Sequence, residues 1–464
     1  MKTILIPIAT NVAYRNLFFY ENSFFDQLKK YAASHPDFFF VVLLTPKDYN
    51  KRDKFLGEGY GKYFEVEQIP AERSSGPIQK LFYFFYSYLL YTRTTAILAT
   101  MGTRPGEPPA GGRRLLAPLK WLISRTFGKS DRIRLRAVPW LFLRLFRDRP
   151  LKELFDRYNP SLVFATHIYG WPDAILLAEA RCRGIRTVGM PSGWDHLDKY
   201  YLPFHTERLL VPSEEVLQSA VSYQSYKPEE LTIVGYPYFD FLASASWRMP
   251  RETLLKELGF PPDARLIVYV SGSSYCPDEH DVIQKMADWA DNGELPKNIY
   301  FAIRPYIGGG RRDKQFDERK FSLLANNPRI RLCEQNVLTD FKESCFLLNI
   351  YLHADVIVQV YTTVALEVAI FDRPIISPLF DGNRTRPFHE SIRRFEQFEH
   401  FQDVIKTGAL PQAHDFNELK KLLNSFLKNP DYLMMERKKL KDELCGPLDG
   451  KNSERIVNEL LTML

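Results

Sequence analysis

Short hydrophobic runs alternate with helix-like segments along the first half of the chain. Thr3–Ala9 and Asp37–Thr45 are rich in β-branched and aromatic residues and predict buried strands, with a helix at Phe18–Tyr31 between them. Further strands are predicted at Ser161–Thr166, Thr187–Met190, Arg208–Val211 and Leu231–Val234. Because helical stretches such as Asp173–Arg183 separate these strands, the pattern predicts a parallel sheet that is covered on both faces.

The second half repeats this alternation. Strands are predicted at Arg265–Val270, Asn298–Ile303, Arg329–Leu332, Asp355–Val360 and Pro374–Ile376, with a helix at Thr362–Phe371. Gly235–Pro250 has mixed polarity and two prolines and predicts a linker. The pattern therefore predicts an α/β protein of two Rossmann-like domains that face a central cleft.

The predicted domains follow from these boundaries. Residues 1–245 form an N-terminal Rossmann-like domain, and residues 246–450 form a second one. Residues 451–464 form a C-terminal helix that packs back across the domains. Residues 78–150 interrupt the first domain as a basic and aromatic helical insertion.

Charge is concentrated in this insertion. The chain of 464 residues has a net charge of +6, but residues 101–150 alone carry twelve Lys or Arg and three Asp or Glu, so the remainder is slightly acidic. Arg113–Phe127 and Arg132–Phe146 combine apolar residues with arginines, a pattern typical of helices on an anionic membrane surface. An ordinary insertion with an apolar core face and solvated arginines fits as well, and both interpretations stay open. Nucleic acid is not an expected partner.

The chain shows no pattern of export or membrane crossing. A short apolar run follows Met1 and then gives way to polar residues, and no 18-residue stretch is apolar throughout. The five cysteines are scattered without metal-ligand spacing. The sequence therefore predicts a cytoplasmic protein, with peripheral contact at the inner face of the cell membrane through residues 113–149 as the alternative considered above.

The clearest chemical motif follows the strand at Asp355–Val360. Tyr361, Thr362 and Thr363 lead into a helix, and Glu367 lies one turn further on. Ligands of open α/β sheets bind beyond the carboxyl ends of strands, and a helix start suits a phosphate group. Both threonines are expected to cap the helix, and Glu367 is expected to accept hydrogen bonds from ribose. A capped helix with Glu367 as a surface charge is the structural alternative.

This motif, followed by Asp372-Arg373-Pro374-Ile375-Ile376, resembles the donor-binding motif of GT-B glycosyltransferases. It is especially similar to the bacterial surface-polysaccharide and CDP-glycerol glycerophosphotransferase group. The resemblance implies that Thr362 and Thr363 contact the diphosphate of a nucleotide-activated donor and that Glu367 contacts its ribose. Retaining members often carry a second Glu at the place of Val360, so its absence here favours an inverting mechanism.

Other residues of the second half fit such a donor site. Gly272, Ser273 and Ser274 follow the strand at Arg265–Val270 and permit close approach of the backbone to a ligand. Arg304 ends the next strand, where a cation would face a diphosphate. The resemblance implies no cofactor and no metal, with the nucleotide-sugar donor as a substrate, and the chain contains no Asp-x-Asp motif.

Candidates for the catalytic base lie in the first half. Asp195 and His196 follow the strand at Thr187–Met190, and His167 follows the strand at Ser161–Thr166. Trp194 is interpreted as a platform for a sugar. A turn with local hydrogen bonds is the structural alternative for this loop.

The sequence thus predicts a metal-independent, inverting glycosyltransferase that moves a sugar from a nucleotide-sugar donor to a cell-surface glycan or lipid-linked acceptor. Two other enzymes stay open, a CDP-glycerol-type polyol-phosphate transferase and a nucleotide-sugar 2-epimerase. A non-enzymatic scaffold is the fourth interpretation, and the joint presence of Arg304, Thr362, Thr363 and Glu367 argues against it.

Overall fold

The computed structural model describes residues 1–49, 62–70, 75–100, 116–306, 311–333 and 340–464. The chain divides into two compact units. Unit 1 comprises Met1–Thr92, Ala117–Ala243 and Gly446–Leu464, and unit 2 comprises Arg93–Leu116 and Ser244–Cys445. The Gly- and Pro-rich loop of the predicted insertion, together with Arg113 and Arg114, lies outside the described residues.

Unit 1 is built on a parallel sheet of seven strands. These are β1 (Lys2–Ile8), β2 (Phe38–Leu44), β3 (Phe64–Gln68), β4 (Leu162–Ala165), β5 (Arg186–Gly189), β6 (Arg208–Val211) and β7 (Leu231–Ile233). Their order across the sheet is β3-β2-β1-β4-β5-β6-β7. The predicted strands of the first half are all present. The additional strand β3 escapes prediction because two glutamates interrupt its short apolar pattern.

Helices connect these strands. The α-helices of unit 1 are Asn11–Tyr14, Phe24–Ser34, Pro46–Tyr49, Pro77–Ser87, Ala117–Thr126, Val138–Leu145, Lys152–Tyr158, Asp173–Arg183, Glu214–Gln224, Phe239–Ala243 and Asn452–Thr462, with π-helical turns at Arg15–Phe19 and Ile133–Ala137. The helix predicted at Phe18–Tyr31 begins later than expected, at Phe24. The Ser23 hydroxyl accepts a hydrogen bond from the Asp26 amide and the Asp26 carboxylate accepts one from the Ser23 amide, so this capping box sets the helix start.

Apolar side chains cover both faces of the unit 1 sheet. Along β1, Ile4 and Ile6 pack into one buried cluster and Leu5 into another on the opposite face. Along β2, Phe40 and Val41 divide between the two clusters in the same way. This alternation follows from the two-residue repeat of a strand, and burial of both faces explains why the strands are continuous hydrophobic runs.

The C-terminal helix Asn452–Thr462 belongs to unit 1. Its Ile456, Val457 and Leu460 join the core cluster that contains Ile4 and Ile6. The buried Asp240 carboxylate accepts hydrogen bonds from the backbone amides of Asn452 and Ser453, at 3.0 and 2.8 Å. An acidic side chain therefore satisfies the first amides of this helix.

Unit 2 is built on a parallel sheet of six strands. These are β8 (Arg265–Val270), β9 (Ile299–Arg304), β10 (Ile330–Leu332), β11 (Val356–Gln359), β12 (Ile375–Pro378) and β13 (Gln412–Ala413), in the order β10-β9-β8-β11-β12-β13. Its α-helices are Arg93–Leu98, Arg251–Leu258, Glu279–Asp291, Arg311–Phe321, Phe341–His353, Val364–Ile370, Glu399–Thr407, Phe416–Lys428 and Met434–Leu444. The two-residue strand β13 is too short to leave a pattern in the sequence.

One segment of the first half belongs to unit 2 rather than to the N-terminal domain predicted from the sequence. The helix Arg93–Leu98 packs beside the helix Glu399–Thr407, where the buried Thr94 hydroxyl accepts a hydrogen bond from the Glu399 amide at 3.0 Å. The Arg93 amide donates to the Glu399 carboxylate at 3.3 Å. Such paired contacts between distant residues have no signature in the sequence.

Both units are doubly wound α/β sheets, so the predicted fold class is confirmed. The central cleft stays a prediction. No helix among the described residues is long and apolar enough to cross a membrane.

Candidate functional site

The predicted donor-binding residues of unit 2 lie at one edge of its sheet. Strands β8 and β11 are neighbours, although the chain leaves them toward opposite sides of the sheet. In the strand register, Gln359 at the end of β11 pairs with Val270 of β8, which in turn pairs with Arg304 of β9. The loops that follow these three strands therefore meet at the topological switch point, where open α/β sheets bind their ligands.

Arg304 is the buried cation of this edge. Its side chain is 7% exposed, and its guanidinium makes no hydrogen bond to the described residues. Burial of an ion is unfavourable unless an opposite charge or hydrogen-bond acceptor compensates it. An anionic ligand at the end of β9 would supply that acceptor.

A carboxylate stabilises the turn after β8 by accepting two hydrogen bonds from it. The Ser271 hydroxyl and the Gly272 amide donate to the two oxygens of Glu279, at 2.5 and 3.1 Å. A Cβ atom on Gly272 would lie 2.4 Å from the Cys276 sulfur, so the turn requires glycine. The Gly272 amide is thus already engaged within the protein. The Ser273 side chain lies outside the described part of the chain, and Ser274 is buried.

A buried ion network supports this turn. Lys320 forms ion pairs with Glu279 at 2.5 Å and with Asp317 at 3.0 Å, and all three side chains are almost fully buried. Burial lowers the pKa of Lys320, but the two carboxylates raise it by more, so it stays above its ordinary value and the ammonium remains charged. Burial also raises the pKa of Glu279, although Lys320 opposes that effect.

The two threonines after β11 differ in their surroundings. The Thr362 hydroxyl donates to the Gln359 side-chain oxygen at 3.0 Å and accepts from the Val364 amide at 3.2 Å. Thr363 is exposed, and its side chain makes no capping hydrogen bond. The prediction that both threonines cap the helix is therefore wrong for Thr363, because its hydroxyl accepts no hydrogen bond from the amides of the first turn.

Tyr361 and Glu367 are both buried. Tyr361 has a positive φ of 33°, and its hydroxyl accepts a hydrogen bond from the Gln412 side chain. Burial raises the pKa of this phenol, which therefore stays neutral. Glu367, in the helix Val364–Ile370, is 6% exposed, so it is not the surface charge of the structural alternative.

The three candidate bases of unit 1 lie together after β4 and β5. The His167 Nδ1 atom lies 2.5 Å from the Ser192 hydroxyl, which lies 3.4 Å from His196 Nδ1. The Tyr169 hydroxyl lies 3.4 Å from His196 Nε2. We call His167, Tyr169, Ser192 and His196 the histidine cluster. It follows two neighbouring strands of the sheet, and His167 lies beside the switch point between β1 and β4.

The protonation of His167 follows from its surroundings. Burial, with a smaller effect of His196, lowers the pKa of His167 to about 3. The imidazole is therefore neutral at neutral pH, and its burial makes it a weaker base than a solvated histidine. The buried Asp173 carboxylate accepts hydrogen bonds from the His167 and Ile168 amides at 3.0 and 3.1 Å, which fixes the backbone at this position.

Asp195 has a different environment from the histidines. Its carboxylate forms an ion pair with Lys199 and lies 3.8 Å from His196 Nε2. A Cβ atom on Gly193 would lie 2.8 Å from His196 Nε2 and 2.9 Å from Asp195, so glycine permits this tight loop. Trp194 is 3% exposed, and the prediction of a sugar platform at this residue is wrong because its ring packs into the core.

Comparison with known proteins adds a family to this geometry. Residues 321–462 match the model of the family described as CDP-Glycerol:Poly(glycerophosphate) glycerophosphotransferase. The match covers less than half of the chain and shows that this segment is similar to that family. The resemblance seen in the sequence is confirmed, and the chain is a transferase of the glycerophosphotransferase or glycosyltransferase kind.

Solved structures agree on the fold. A UDP-GlcNAc 2-epimerase from Neisseria meningitidis, solved with UDP-GlcNAc bound, is 10% identical, with a TM-score of 0.54 over 100% of each chain. A glycosyltransferase from Rickettsia africae is 11% identical, with a TM-score of 0.52 over 100% and 98%. The wall teichoic acid polymerase TagF is 12% identical, with a TM-score of 0.50 over 99% and 89%. At these identities the likeness establishes the shared GT-B-like fold. No curated protein matches the chain in sequence.

The matched segment, residues 321–462, contains part of the predicted donor site. Tyr361, Thr362, Thr363 and Glu367 lie within the matched residues, whereas Arg304 and the turn at Gly272 precede them. No role was predicted from the sequence for Glu279, which belongs to the ion network. None was predicted for Ser192 and Tyr169, which belong to the histidine cluster. Ser192 and Tyr169 each lie within a few residues of a predicted strand end, which is the signal that would have found them.

Proposed function

We propose that the chain transfers a group from a nucleotide-diphosphate-linked donor to a hydroxyl of a cell-surface glycan or lipid-linked acceptor. Unit 2 holds the donor, and unit 1 holds the acceptor. The observation that carries the proposal is Arg304, a buried cation at the switch point that lacks a hydrogen-bond partner among the described residues. A diphosphate is the anion that best fits a guanidinium at this position.

The other donor contacts follow from the same sheet edge. The exposed Thr363 hydroxyl is free to donate to a phosphate oxygen, whereas Thr362 keeps the helix start in place. Glu367 holds the ribose, as the family resemblance implies. Positive charge and hydroxyl groups offset the charge of the leaving group, so we propose that transfer needs no metal.

Two donor classes fit this site. The first is a nucleotide-activated polyol phosphate of the CDP-glycerol type, and the family of residues 321–462 favours it. In that reaction the acceptor oxygen forms a bond to the β-phosphorus, the phosphoanhydride bond breaks and a nucleoside monophosphate leaves. The second is a nucleotide sugar, from which an inverting transferase would form a new C–O bond and release a nucleoside diphosphate. The released nucleotide therefore distinguishes them.

In either reaction the acceptor hydroxyl loses a proton. We propose that the histidine cluster receives it, because His167, Ser192 and His196 lie together after two neighbouring strands and are joined by hydrogen-bond contacts. Asp195 is the weaker candidate because Lys199 occupies its carboxylate.

The test of the proposed function is thermal unfolding with a nucleotide panel of CDP-glycerol, CMP, CDP, UDP-N-acetylglucosamine, UDP, GDP and TDP. A ligand at one hundred times its dissociation constant adds about 2.7 kcal/mol to the free energy of unfolding. Stabilisation by CDP-glycerol and CMP supports polyol-phosphate transfer. Stabilisation by a nucleotide sugar and its diphosphate supports glycosyl transfer, and conversion of UDP-N-acetylglucosamine without acceptor supports an epimerase.

The variant Glu367→Gln, measured beside the wild type, tests the assigned donor site. It keeps the shape of the side chain and removes its charge, so it weakens the nucleotide response if Glu367 accepts ribose hydrogen bonds. If no nucleotide stabilises the wild type, the scaffold interpretation replaces the enzyme.

We further propose peripheral contact between unit 1 and an anionic membrane. Large apolar side chains are exposed in and near the helices Ala117–Thr126 and Val138–Leu145, namely Leu119, Trp121, Leu122, Phe127 and Trp140. Basic residues such as Arg125 and Arg144 lie beside them. Exposed apolar groups among cations suit the headgroup region of an anionic bilayer. Flotation with phosphatidylglycerol vesicles tests this contact, and equal flotation of wild type and Trp121→Ser would contradict it.

A further inference from the structure

Unit 1 contains a cavity of about 310 Å³ that has no role in the function proposed above. The helix Pro77–Ser87, the helix Val138–Leu145 with the residues that follow it, and residues 170–175 form its walls. Its volume is at the lower end of the range for sites that bind small molecules. It is therefore large enough for one small ligand group.

Aromatic side chains make up most of the wall. Tyr83, Tyr86, Phe142, Phe146 and Trp171 all line the cavity. Tyr83 and Tyr86 lie 5.2 Å apart between ring centroids, and the stacked pair Phe142 and Phe146 lies 4.4 Å apart. Tyr86 and Phe142 join the two pairs at 6.2 Å. The wall is thus a set of packed rings that loses little conformational freedom when a ligand binds.

Polar groups complete the lining. The Gln79 side chain donates to the Leu145 carbonyl at 2.9 Å and accepts from the Gly76 amide at 2.8 Å, so its position is fixed. Arg147 donates from Nε to the Arg144 carbonyl at 2.9 Å, and its terminal nitrogens make no hydrogen bond to the described residues. Asp148 lines the cavity beside it. The lining therefore offers hydrogen-bond donors and acceptors next to aromatic faces.

The cavity adjoins the histidine cluster. Gly170 lines the cavity and directly follows Tyr169, whose hydroxyl lies 3.4 Å from His196 Nε2. The Tyr169 ring stacks on Tyr200 at 4.1 Å and packs 4.0 Å from the His167 ring. One short segment thus contacts both the cavity and the candidate base.

We propose that this cavity binds a neutral sugar unit of the acceptor. A pyranose has C–H faces that pack on aromatic rings and hydroxyl edges that need donors and acceptors, and the cavity supplies both. A hydrocarbon chain would contact the rings and make no use of the exposed Arg147 and Asp148, and a phosphate would meet the Asp148 carboxylate. The assignment of this sugar to the acceptor rests on the proposed transferase function, whereas sugar binding itself does not.

The experiment uses ¹⁹F NMR of the full chain labelled with 5-fluorotryptophan. The chain contains six tryptophans, and Trp171→Phe assigns the resonance of the one in the cavity wall. Trp289, in the core of unit 2, is the internal reference. The probes are the methyl glycosides of glucose, galactose, mannose and N-acetylglucosamine, with 1-octanol as the apolar comparison.

We expect at least one glycoside to shift the Trp171 resonance in a saturable way and to leave Trp289 unchanged. Ala174→Leu places a larger side chain in the cavity and should weaken the binding at least tenfold. Arg147→Met changes an exposed residue, keeps the fold and should weaken the binding several-fold, so it serves if Ala174→Leu does not fold. The proposal is overturned if octanol alone shifts Trp171, if no probe does, or if the variant that folds binds like the wild type.

The nucleotide response separates this proposal from the proposed function. If a glycoside binds the cavity but no nucleotide stabilises the chain, the proposed sugar site stands and the proposed transferase function is wrong. If a nucleotide stabilises the chain but no glycoside shifts the Trp171 resonance, the proposed transferase function stands and the proposed sugar site is wrong.

Discussion

The two sheet edges of this molecule share a topology and differ in chemistry. In each unit the first strand lies between its second and fourth strands, so each has the same switch point. In unit 2 that edge holds the buried cation Arg304 and a turn that an ion network supports. In unit 1 it holds His167, which burial keeps neutral, among packed aromatic rings.

The difference shows that topology determines where a ligand binds and side chains determine which ligand it is. A buried cation without a hydrogen-bond partner among the described residues favours an anion such as a diphosphate. A neutral imidazole and aromatic faces favour a neutral acceptor that gives up a proton. The variants below test each half of this comparison, beginning with the largest expected effect.

Lys320→Met should destabilise unit 2 most strongly. It leaves Glu279 and Asp317 as buried carboxylates without their cation, which costs about 3–5 kcal/mol. Chemical denaturation measures the loss. The matched change in unit 1, Lys199→Met, should cost less because its pair with Asp195 is less deeply buried, with 17% and 16% of the two side chains exposed. Equal losses would show that the two edges do not differ in this way.

The pH dependence of stability should reveal the neutral imidazole of unit 1. The pKa of His167 is about 3 in the folded chain and about 6.5 when unfolded, so below pH 6.5 the unfolded state binds the extra proton. His167 therefore lowers the free energy of unfolding by about 1.4 kcal/mol for each pH unit as the pH falls from about 6 toward 3.

We expect the free energy of unfolding of His167→Asn to fall less steeply than that of the wild type as the pH decreases below 6. Burial also lowers the pKa of His205, to about 4, and its contribution remains in both proteins, so their difference isolates His167. Unfolding free energies at pH 7, 6, 5 and 4 supply the measurement. Parallel curves would mean that His167 is not held neutral.

Substitutions of the two threonines should give the smallest effects, one on stability and the other on nucleotide binding. Thr362→Val removes a hydroxyl that caps the helix and should lower the free energy of unfolding by about 1 kcal/mol. Thr363→Val should leave stability unchanged and weaken nucleotide binding, because the Thr363 hydroxyl makes no capping hydrogen bond. A loss of stability with Thr363→Val, without a change in binding, would contradict its assignment to the donor.

Much of the fold was accessible from the sequence because buried parallel strands are continuous hydrophobic runs. Strand β3 was not, since its glutamates belong to a short edge strand, and the helix Arg93–Leu98 joined the other unit through contacts that no local pattern encodes. Motif spacing brought Arg304 and Thr362 to one edge. It did not distinguish the buried Trp194 from an exposed ring or reveal Lys320 beneath Glu279, because burial and pairing are tertiary properties.

The most direct test of the account is nucleotide binding by Arg304→Met, measured by titration calorimetry with the nucleotide that stabilises the wild type most. We predict at least a hundredfold loss of affinity together with unchanged or higher stability, since the variant removes a buried cation that has no hydrogen-bond partner among the described residues. Arg384→Met, at an exposed arginine of the same unit, should bind like the wild type. Undiminished affinity in Arg304→Met would contradict the account.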